Sequence, residues 1–332
     1  MKNGIALTGI KPSGTPHIGN FLGMIKPALE LAKDYQALYF IADYHALTTV
    51  KNRDELKKLT YEVAATWLAL GLDPEKVIFY RQSDIPEVME LTWILACFTP
   101  KGLLNRAHAY KAAVDENLEK GKDSDEGINS GLFLYPALMA ADILLFDTNF
   151  VPVGLDQKQH IEITRDIAQA INGNYKKEIL TVPEAVIRED VMTIPGLDGR
   201  KMSKSYDNVI PIFESSKEIR KRVMRIVTDS RKPEDPKDPD EDNVFAIYKH
   251  FASPADLQRV SDGYRQGGLA YSEIKNALYE LLEGEFAQAR ESYWRYMDDF
   301  TYLEKILQQG ADKARMISQP KIEEIRKAIG IE

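Results

Sequence analysis

A short run of lysine and serine, KMSKS at residues 201–205, carries the clearest chemistry in the sequence. Lys201 and Lys204 stand three positions apart with serines beside them, so cations and hydroxyls can surround one phosphate group. Oxygens of a departing phosphate gain negative charge in the transition state of phosphoryl and adenylyl transfer, and nearby cations stabilise that charge. The turn-rich residues 196–200, GLDGR, precede the run and predict a mobile loop that closes over a ligand.

A second polar segment, KPSGTPHIGN at residues 11–20, follows a predicted buried strand and opens a predicted helix. The amino terminus of a helix presents free N–H groups and the positive end of its dipole, which favour phosphate. Gly19 has no Cβ atom, so a flat base could approach the backbone there. His17 and Asn20 share one helix face and can point at one ligand. The segment is neither a dinucleotide-binding glycine motif nor a P-loop, and alone it predicts either a capped turn or another kind of nucleotide loop.

Alternating β-like and helical patterns position these loops. The predicted strands are Ile5–Ile10, 37–43, 76–82 and Phe150–Val153, and the predicted helices are 18–34, 53–70, 86–98, 132–141 and 156–172. This alternation is typical of an α/β fold with a Rossmann-like parallel sheet and helices on both faces. Such sheets bind nucleotides at the carboxyl ends of their strands. Residues 100–130 are polar and interrupt the rhythm like an insertion.

Helical patterns dominate the rest of the chain. We therefore expect a Rossmann-like catalytic domain at residues 1–205, with a mobile loop at 196–206, and an all-helical domain at 206–332 whose last helix packs back on the first domain. The elements expected in the second domain are a helix with a capping box formed by Ser215 and Glu218, a linker or mobile loop at 233–242, and long helices at 272–309 and 319–329.

Composition places the chain among soluble globular proteins, since 44% of its 332 residues are hydrophobic and 28% are charged. No signal leader is visible, and no apolar run reaches the roughly 18 to 20 residues of a membrane span, so we expect a cytoplasmic protein without a membrane partner. Cys97 is the only cysteine, which excludes an intramolecular disulfide and predicts neither a zinc site nor an iron–sulfur cluster. Its apolar surroundings predict a buried thiol.

The net charge of −8 is unevenly distributed. Residues 200–232 contain ten Lys or Arg and four Asp or Glu, a local balance of +6, whereas residues 233–242 contain six acids and one lysine. The basic stretch predicts either a solvated helix face or a contact with nucleic acid.

The two loops together resemble a known class of enzymes. HIGN at residues 17–20 resembles the HIGH signature of class I aminoacyl-tRNA synthetases, and KMSKS at residues 201–205 matches their second signature in full. Within this class, YPALMAADIL at residues 135–144 and VPVGLDQKQH at residues 151–160 resemble the tryptophanyl-tRNA synthetases. The resemblance runs over nearly the whole chain. It implies a ligase that activates L-tryptophan with ATP and transfers it to the CCA end of tRNA(Trp), releasing AMP and pyrophosphate.

Asp142 supports this resemblance on physical grounds. It lies in the otherwise apolar helical stretch 138–145, where an unpaired carboxylate is costly, so it requires a donor. A helix cap or a salt bridge is the ordinary explanation for such an acid. The resemblance implies instead that Asp142 accepts a hydrogen bond from the indole N–H. A buried acceptor of this kind rejects analogues that lack the donor.

The resemblance also implies the rest of the site. The residues expected at tryptophan are Leu7, His45, Tyr135, Met139, Asp142, Ile143, Val151, Val153 and Gln157. The residues expected at ATP are Lys11, Pro12, Ser13, Gly19, Asn20, Gly154, Leu155, Asp156, Val191, Lys201, Met202, Ser203, Lys204 and Ser205. The expected catalytic residues are His17, Asn20, Lys201 and Lys204. We expect Mg²⁺ to arrive with ATP and no metal to be held by protein side chains. The chain departs from the common bacterial pattern at Leu7, Lys11, His17 and Ala109.

Other functions remain open at this point. Tyrosyl-tRNA synthetases share the architecture, although they usually carry glutamine where this helix has Met139. A non-catalytic, synthetase-like protein that binds nucleotide or tRNA is a second alternative, and a nucleotidyltransferase of the same superfamily that makes a small cofactor is a third. A basic helix containing Arg220, Lys221, Arg222 and Arg225 favours a tRNA partner. The resemblance further implies a homodimer.

Overall fold

A parallel sheet lies at the centre of the computed structural model, which describes residues 4–154, 157–187 and 194–331. Within these residues the sheet has five strands in the order β3-β2-β1-β4-β5, and each neighbouring pair is parallel. The strands are β1 (Ile5–Ile10), β2 (Gln36–Ile41), β3 (Ile78–Arg81), β4 (Phe150–Val153) and β5 (Glu184–Ile187). β5 was absent from the sequence prediction because its four residues begin with glutamate and give no alternating pattern.

Helices connect the strands and form the carboxyl-terminal part. Those before the KMSKS loop are α1 (Ile18–Asn20), continued by a π-helical turn (Phe21–Ile25) and α2 (Lys26–Leu31), then α3 (Asp43–Ala46), α4 (Arg53–Ala69), α5 (Glu87–Phe98), α6 (Lys101–Asn105), α7 (His108–Glu119), α8 (Ser130–Leu144) and α9 (Lys158–Tyr175). Those after it are α10 (Ser216–Met224), α11 (Asn243–Tyr248), α12 (Pro254–Gln266), α13 (Tyr271–Met297) and α14 (Phe300–Ile329). The predicted insertion at 100–130 is thus largely helical.

Both faces of the sheet are covered, as the predicted fold class requires. Along β2, Tyr39 and Ile41 point into one hydrophobic cluster and Leu38 and Phe40 into another, because successive side chains of a strand alternate between faces. The first cluster includes helices α2 and α4, and the second includes α5, α8 and α9. The predicted Rossmann-like sheet with a helical carboxyl-terminal region is confirmed.

The carboxyl-terminal helices share the first of these clusters. Phe286 of α13 packs edge-on against Phe21, with ring centroids 5.0 Å apart. Helix α14 then crosses the edge strand β3, since Leu307 belongs to the first cluster and Ala314 to the second. At the crossing, a Cβ atom on Gly310 would lie 1.7 Å from the carbonyl oxygen of Phe79, so only glycine fits there. A covered edge strand is protected from pairing with other chains.

Three expectations are wrong in detail. The long helices meet at 298–299, where Asp299 caps α14, and not at 310–318, because packing overrides Gly310 and Pro320 as helix breakers. Cys97 is exposed, because it lies on the outer face of α5. Segment 233–242 folds around a buried lysine, Lys237, whose Nζ donates to the carbonyl oxygens of residues 232, 233 and 235.

One expected cap has formed. The side chain of Ser215 accepts a hydrogen bond from the backbone N–H of Glu218 at the start of α10. None of the helices in the described part of the chain is both long and apolar enough to cross a membrane.

Candidate active site

The segment at residues 11–20, called the nucleotide loop below, follows the carboxyl end of β1 and runs into α1. The side chain of Asn20 closes the first turn of α1, because its Oδ1 accepts from the backbone N–H of His17 at 3.1 Å. The N–H of Ile18 donates to the carbonyl oxygen of Ile210 at 3.0 Å, and His17 forms a β-bridge with Pro211. The residues that follow the KMSKS loop therefore hold the start of α1. The π-helical turn comes next, a distortion that is frequent at functional sites.

His17 is buried beside this turn and only 7% of it is exposed. Burial, reinforced by the positive charge of Lys204, lowers its pKa to about 4. Its Nδ1 is buried and has no hydrogen-bond partner among the described residues. A Cβ atom on Gly19 would lie 3.0 Å from this Nδ1, so glycine leaves room for the ring to pack against the backbone.

The KMSKS loop is organised by Asn208, which is almost fully buried. Its Nδ2 donates to Asp198 Oδ1 at 2.7 Å and to the carbonyl oxygen of Lys201 at 3.1 Å. Its Oδ1 accepts from the backbone N–H of Ser203 at 2.8 Å. One side chain thus fixes both ends of the predicted mobile loop, and sequence reasoning missed it. Its position three residues after Ser205 was the only signal.

The two motif loops meet at Lys204. Its Nζ donates to the carbonyl oxygen of Ser13 at 3.0 Å, and partial burial lowers its pKa. Met202 is buried, and its Cβ would lie 3.5 Å from a Cβ on Gly19. Gly14 accommodates the contact in a left-handed conformation with φ of 84°. Lys204, which is predicted to stabilise the leaving group, therefore lies next to the predicted nucleotide loop.

The second part of the site surrounds Asp142 on α8, which is 2% exposed. His45 Nε2 lies 2.9 Å from its Oδ2, and Gln82 Nε2 lies 2.8 Å from Oδ1 and 2.9 Å from Oδ2. Burial raises the pKa of Asp142, and the hydrogen bonds from His45 and Gln82 oppose this rise. Gln82 was absent from the sequence prediction, although its position directly after β3 placed it at the carboxyl edge of the sheet.

His45 links this carboxyl group to Tyr135. The two rings have centroids 4.2 Å apart. An ionised carboxylate only accepts hydrogen bonds, so His45 Nε2 carries a proton when Asp142 is charged, and Nδ1 is an acceptor in the neutral form of that ring. Nδ1 is buried and has no hydrogen-bond partner among the residues described.

An apolar lining completes this part of the site. Of the residues expected at tryptophan, Leu7, Ile143, Val151 and Val153 are buried in one cluster, against which Met139 packs half-buried, and they are called the slot residues below. They come from β1, β4 and α8, and α8 also carries Asp142.

The remaining predicted residues have less defined places. Gln157 is exposed at the amino end of α9, and Lys201 is exposed in the loop. Lys11 is exposed too, although partial burial lowers its pKa. Pro12 is buried, Gly154 follows β4, and the hydroxyls of Ser203 and Ser205 lie 2.8 Å apart. The predictions for Leu155, Asp156 and Val191 fall outside the described residues.

Comparisons with known proteins agree with this geometry. The family model of class I tRNA synthetases (W and Y) matches residues 2–287. A tryptophan–tRNA ligase of Pseudomonas putida is 51% identical over 329 residues, which is 98% of this chain and 73% of that protein.

Solved structures give the same picture. The crystal structure of tryptophanyl-tRNA synthetase from Campylobacter jejuni, complexed with ADP and tryptophan, is 47% identical with a TM-score of 0.89 and covers 98% of this chain and 99% of its own. The enzyme from Mycoplasma pneumoniae is 29% identical with a TM-score of 0.81 and covers 99% and 98%. With the two motif loops in contact and the family model spanning most of its length, the chain belongs to the class I tRNA synthetases of the tryptophan and tyrosine group.

Proposed function

We propose that the chain activates L-tryptophan with ATP to tryptophanyl-adenylate and transfers the amino acid to the CCA end of tRNA(Trp). The observation that carries the reaction type is the contact between Lys204 Nζ and the carbonyl oxygen of Ser13, which joins the KMSKS loop to the nucleotide loop. The buried Asp142 beside an apolar lining supports tryptophan as the amino acid. The relatives named as tryptophan–tRNA ligases support the same substrate.

In the first step, a carboxylate oxygen of tryptophan attacks the α-phosphorus of ATP. A new P–O bond forms, the bond to the bridging oxygen breaks, and pyrophosphate leaves with that electron pair. The attacking group is already ionised, so the step needs no general base. Catalysis then comes from positioning and from stabilising charge on the leaving group, which we assign to Lys201 and Lys204. His17 is neutral at pH 7, with a pKa of about 4, and we assign it a hydrogen bond to phosphate.

ATP lies, in this proposal, between α1 and the KMSKS loop. Gly19 and Met202 line the adenine side, and the amino end of α1 faces the phosphates. Mg²⁺ enters as the ATP complex and supplies neutralisation of phosphate charge. We assign its ligands to phosphate oxygens and water, because Mg²⁺ bound with a nucleotide usually keeps several waters beside the substrate phosphates.

Tryptophan lies with its indole ring on the slot residues and its N–H towards Asp142. The Nδ1 of His45, which is buried and is an acceptor when a neutral ring donates from Nε2 to Asp142, is suited to the substrate's ammonium group. The ring of Tyr135 packs against His45 in a tilted arrangement and is placed to help, and Gln157 at the start of α9 approaches from the open side.

The second step requires tRNA, which we propose binds the helical carboxyl-terminal part through its anticodon arm. Exposed arginine and lysine side chains on α10 support this proposal, because phosphate contacts supply most of the affinity for nucleic acid. A tRNA substrate supports the expected cytoplasmic location.

We also propose a homodimer. Met89 and Trp93 stand one helical turn apart on α5 and are 44% and 71% exposed, which offers apolar area to a second copy. Sedimentation equilibrium should give twice the subunit mass, and the subunit mass alone would contradict the proposal.

Exchange of labelled pyrophosphate into ATP tests the main proposal without tRNA. We expect exchange with tryptophan and not with tyrosine or phenylalanine. Asp142→Ala should strongly weaken it, because the variant loses the acceptor for the indole N–H and leaves the donors of His45 and Gln82 unpaired.

Asp242→Ala is the matched control. Asp242 is also a buried carboxyl group whose pKa is raised by burial, but it caps α11, outside the proposed pocket. Its replacement should cost stability and leave the KM for tryptophan unchanged. Exchange with tyrosine alone would overturn the assignment of the pocket, and no exchange with any amino acid would overturn the enzymatic function.

A further inference from the structure

Gln82 is fully buried directly after β3, and both ends of its amide are engaged. Its Oε1 accepts from the backbone N–H of Tyr44 at 3.1 Å. Its Nε2 lies 2.8 and 2.9 Å from the two carboxyl oxygens of Asp142. A backbone N–H can only donate, so the amide oxygen must face Tyr44 and the amide nitrogen must face the carboxyl group. The orientation of this side chain is therefore fixed by its partners.

This arrangement favours the charged form of Asp142. Burial alone raises the pKa of its carboxyl group, because a charge is costly away from water. The N–H groups of Gln82 and His45 act in the opposite direction. A protonated carboxyl group would present an O–H to the pocket, whereas the ionised form presents only acceptors.

The hydrogen bonds also leave the two carboxyl oxygens unequal. Within the described part of the chain, Oδ2 of Asp142 accepts from both His45 and Gln82, whereas Oδ1 accepts from Gln82 alone. An ionised carboxylate can accept about four hydrogen bonds in all. Oδ1 therefore keeps a lone pair for one further donor.

Helix α14 bonds to the segment around Gln82 at two points, one before Gln82 and one after it. Arg81 pairs with Glu304, with Nη2 and Oε1 2.6 Å apart. Arg315 donates from Nη2 to the carbonyl oxygen of Asp84 at 2.6 Å. Because Arg81 and Asp84, one on each side of Gln82 in the chain, are both bonded to α14, Gln82 has little freedom to move away from Asp142.

We propose that Gln82 is a positioning residue for amino-acid selection, which keeps Asp142 charged and directs Oδ1 to the indole N–H of the substrate. This inference rests on the proposed function. Gln82 does not touch the reacting atoms, and it acts on the choice of amino acid through Asp142. Its removal should therefore raise the KM for tryptophan much more than it lowers kcat.

Gln82→Met provides the first test, because methionine keeps the volume of the side chain and removes the donor. In pyrophosphate exchange, we expect the KM for tryptophan to rise on the order of tenfold and the KM for ATP to stay near the wild-type value. The analogue β-(benzothiophen-3-yl)alanine carries sulfur in place of the indole N–H. The preference for tryptophan over this analogue, measured as the ratio of kcat/KM values, should fall on the order of tenfold in the variant.

Gln82→Glu provides a second test with a different signature. Two facing carboxyl groups cannot both ionise cheaply and share a proton at lower pH. The other titratable groups around Asp142 are His45, Asp43, Tyr80 and Tyr135, and they are common to all variants. The KM for tryptophan in Gln82→Glu should therefore be high at pH 8 and fall towards pH 6. In Gln82→Met, which has no group to share a proton, the excess of this KM over the wild-type value should not fall towards pH 6.

Thr92→Val is the control for a purely structural effect. Thr92 is buried on α5, and its hydroxyl donates to the carbonyl oxygen of Val88, away from Asp142. The Thr92→Val variant should have a lower melting temperature than wild type and the same amino-acid preference. If both Gln82 variants keep the wild-type KM and preference, the inference is wrong and the proposed function stands. If the wild type itself shows no exchange with tryptophan, the proposed function fails first.

Discussion

His17 shows how burial sets the charge of a single functional side chain. The ring is 7% exposed and lies near Lys204, and its pKa is lowered to about 4. At neutral pH it is therefore uncharged, with one N–H donor and one acceptor nitrogen. It can orient a phosphate oxygen but adds no positive charge, so in the proposed reaction the stabilisation of the leaving pyrophosphate is assigned to the lysines of the KMSKS loop.

We predict that His17 makes the protein less stable as the pH falls from 6.5 towards 4. Across this window the unfolded chain binds a proton at His17 and the folded chain does not, so the free energy of unfolding decreases with falling pH. The full shift corresponds to about 3 kcal/mol. Urea unfolding of wild type and His17→Asn at several pH values measures this loss. Between pH 6.5 and 4, the free energy of unfolding of the variant should fall less than that of wild type, and the difference should equal the contribution of His17. Equal losses would mean that His17 titrates normally in the folded protein.

At the residue scale, sequence reasoning gave its clearest predictions where the residues of a motif are contiguous. His17 and Lys204 each lie within a short motif whose spacing already indicates phosphate chemistry. Gln82 was missed because its partner Asp142 is 60 positions away, and nothing near it in the sequence indicates that pairing. Asn208 was missed because asparagine after a turn is ordinary, and only the fold shows it bonded to three backbone or side-chain groups of the loop.

At the scale of one element, the loop at 196–208 has a turn-rich sequence that predicts mobility, yet the buried side chain of Asn208 anchors it from within. The N–H of Leu197 and the N–H of Val227 extend the anchoring, since they donate to the carbonyl oxygens of Asn208 and Leu197 at 2.8 and 2.7 Å. Lys201 and Lys204 lie on the exposed side of this hydrogen-bonded loop. Their positions relative to a bound phosphate would therefore depend on Asn208.

We predict that Asn208→Ala slows the chemical step, because Lys201 and Lys204 lose their fixed backbone. The kcat for pyrophosphate exchange should fall on the order of tenfold or more, with little change in the KM for tryptophan. Asn172→Ala is the control. Asn172 likewise makes three hydrogen bonds, to the backbone of residues 179 and 180, but it stands far from the loop in sequence and anchors a different turn. An equal fall of kcat in both variants would refute the anchoring role.

Helix α14 is the element whose placement the sequence described least well. Gly310 suggested a helix end, yet it lies in the middle of a continuous helix because the backbone of Phe79 occupies the place of a side chain. Periodicity describes one helix face, but it gives no distance to a strand more than two hundred residues away. The sheet and its order of helices follow local patterns, and for that reason they were predicted well.

Gly310→Ala should destabilise the protein although alanine is the better helix former. The added Cβ would lie 1.7 Å from the carbonyl oxygen of Phe79, so α14 must shift away from β3. We expect a loss of about 2 to 3 kcal/mol in the free energy of unfolding. Gly284→Ala in α13 is the control, because no atom lies within 4 Å of its added Cβ, and it should gain up to about 1 kcal/mol. Urea unfolding measures both, and a gain in both variants would contradict the close packing.

At the scale of the whole molecule, a net charge of −8 coexists with a basic face on one short helix. The structure divides the basic residues of α10 and its carboxyl-terminal cap into two kinds. Arg222 is only 20% exposed and pairs with Asp207 and Glu218, so it stabilises the fold. Lys221 is 64% exposed with a long contact to Glu218, and Arg225 is exposed, so both are available to a phosphate backbone.

We predict that the combined variant Lys221→Ala and Arg225→Ala weakens tRNA binding and makes it less sensitive to salt. For each phosphate that the variant no longer neutralises, the slope of log K against log salt should decrease by about 0.7 to 0.9. Filter binding of tRNA(Trp) between low and moderate salt measures this slope, and pyrophosphate exchange without tRNA should be unaffected. Lys76→Ala is the control, since Lys76 is 77% exposed before β3 and pairs with Asp73. A slope unchanged in the double variant, or reduced equally in the control, would place the tRNA on another face of the molecule.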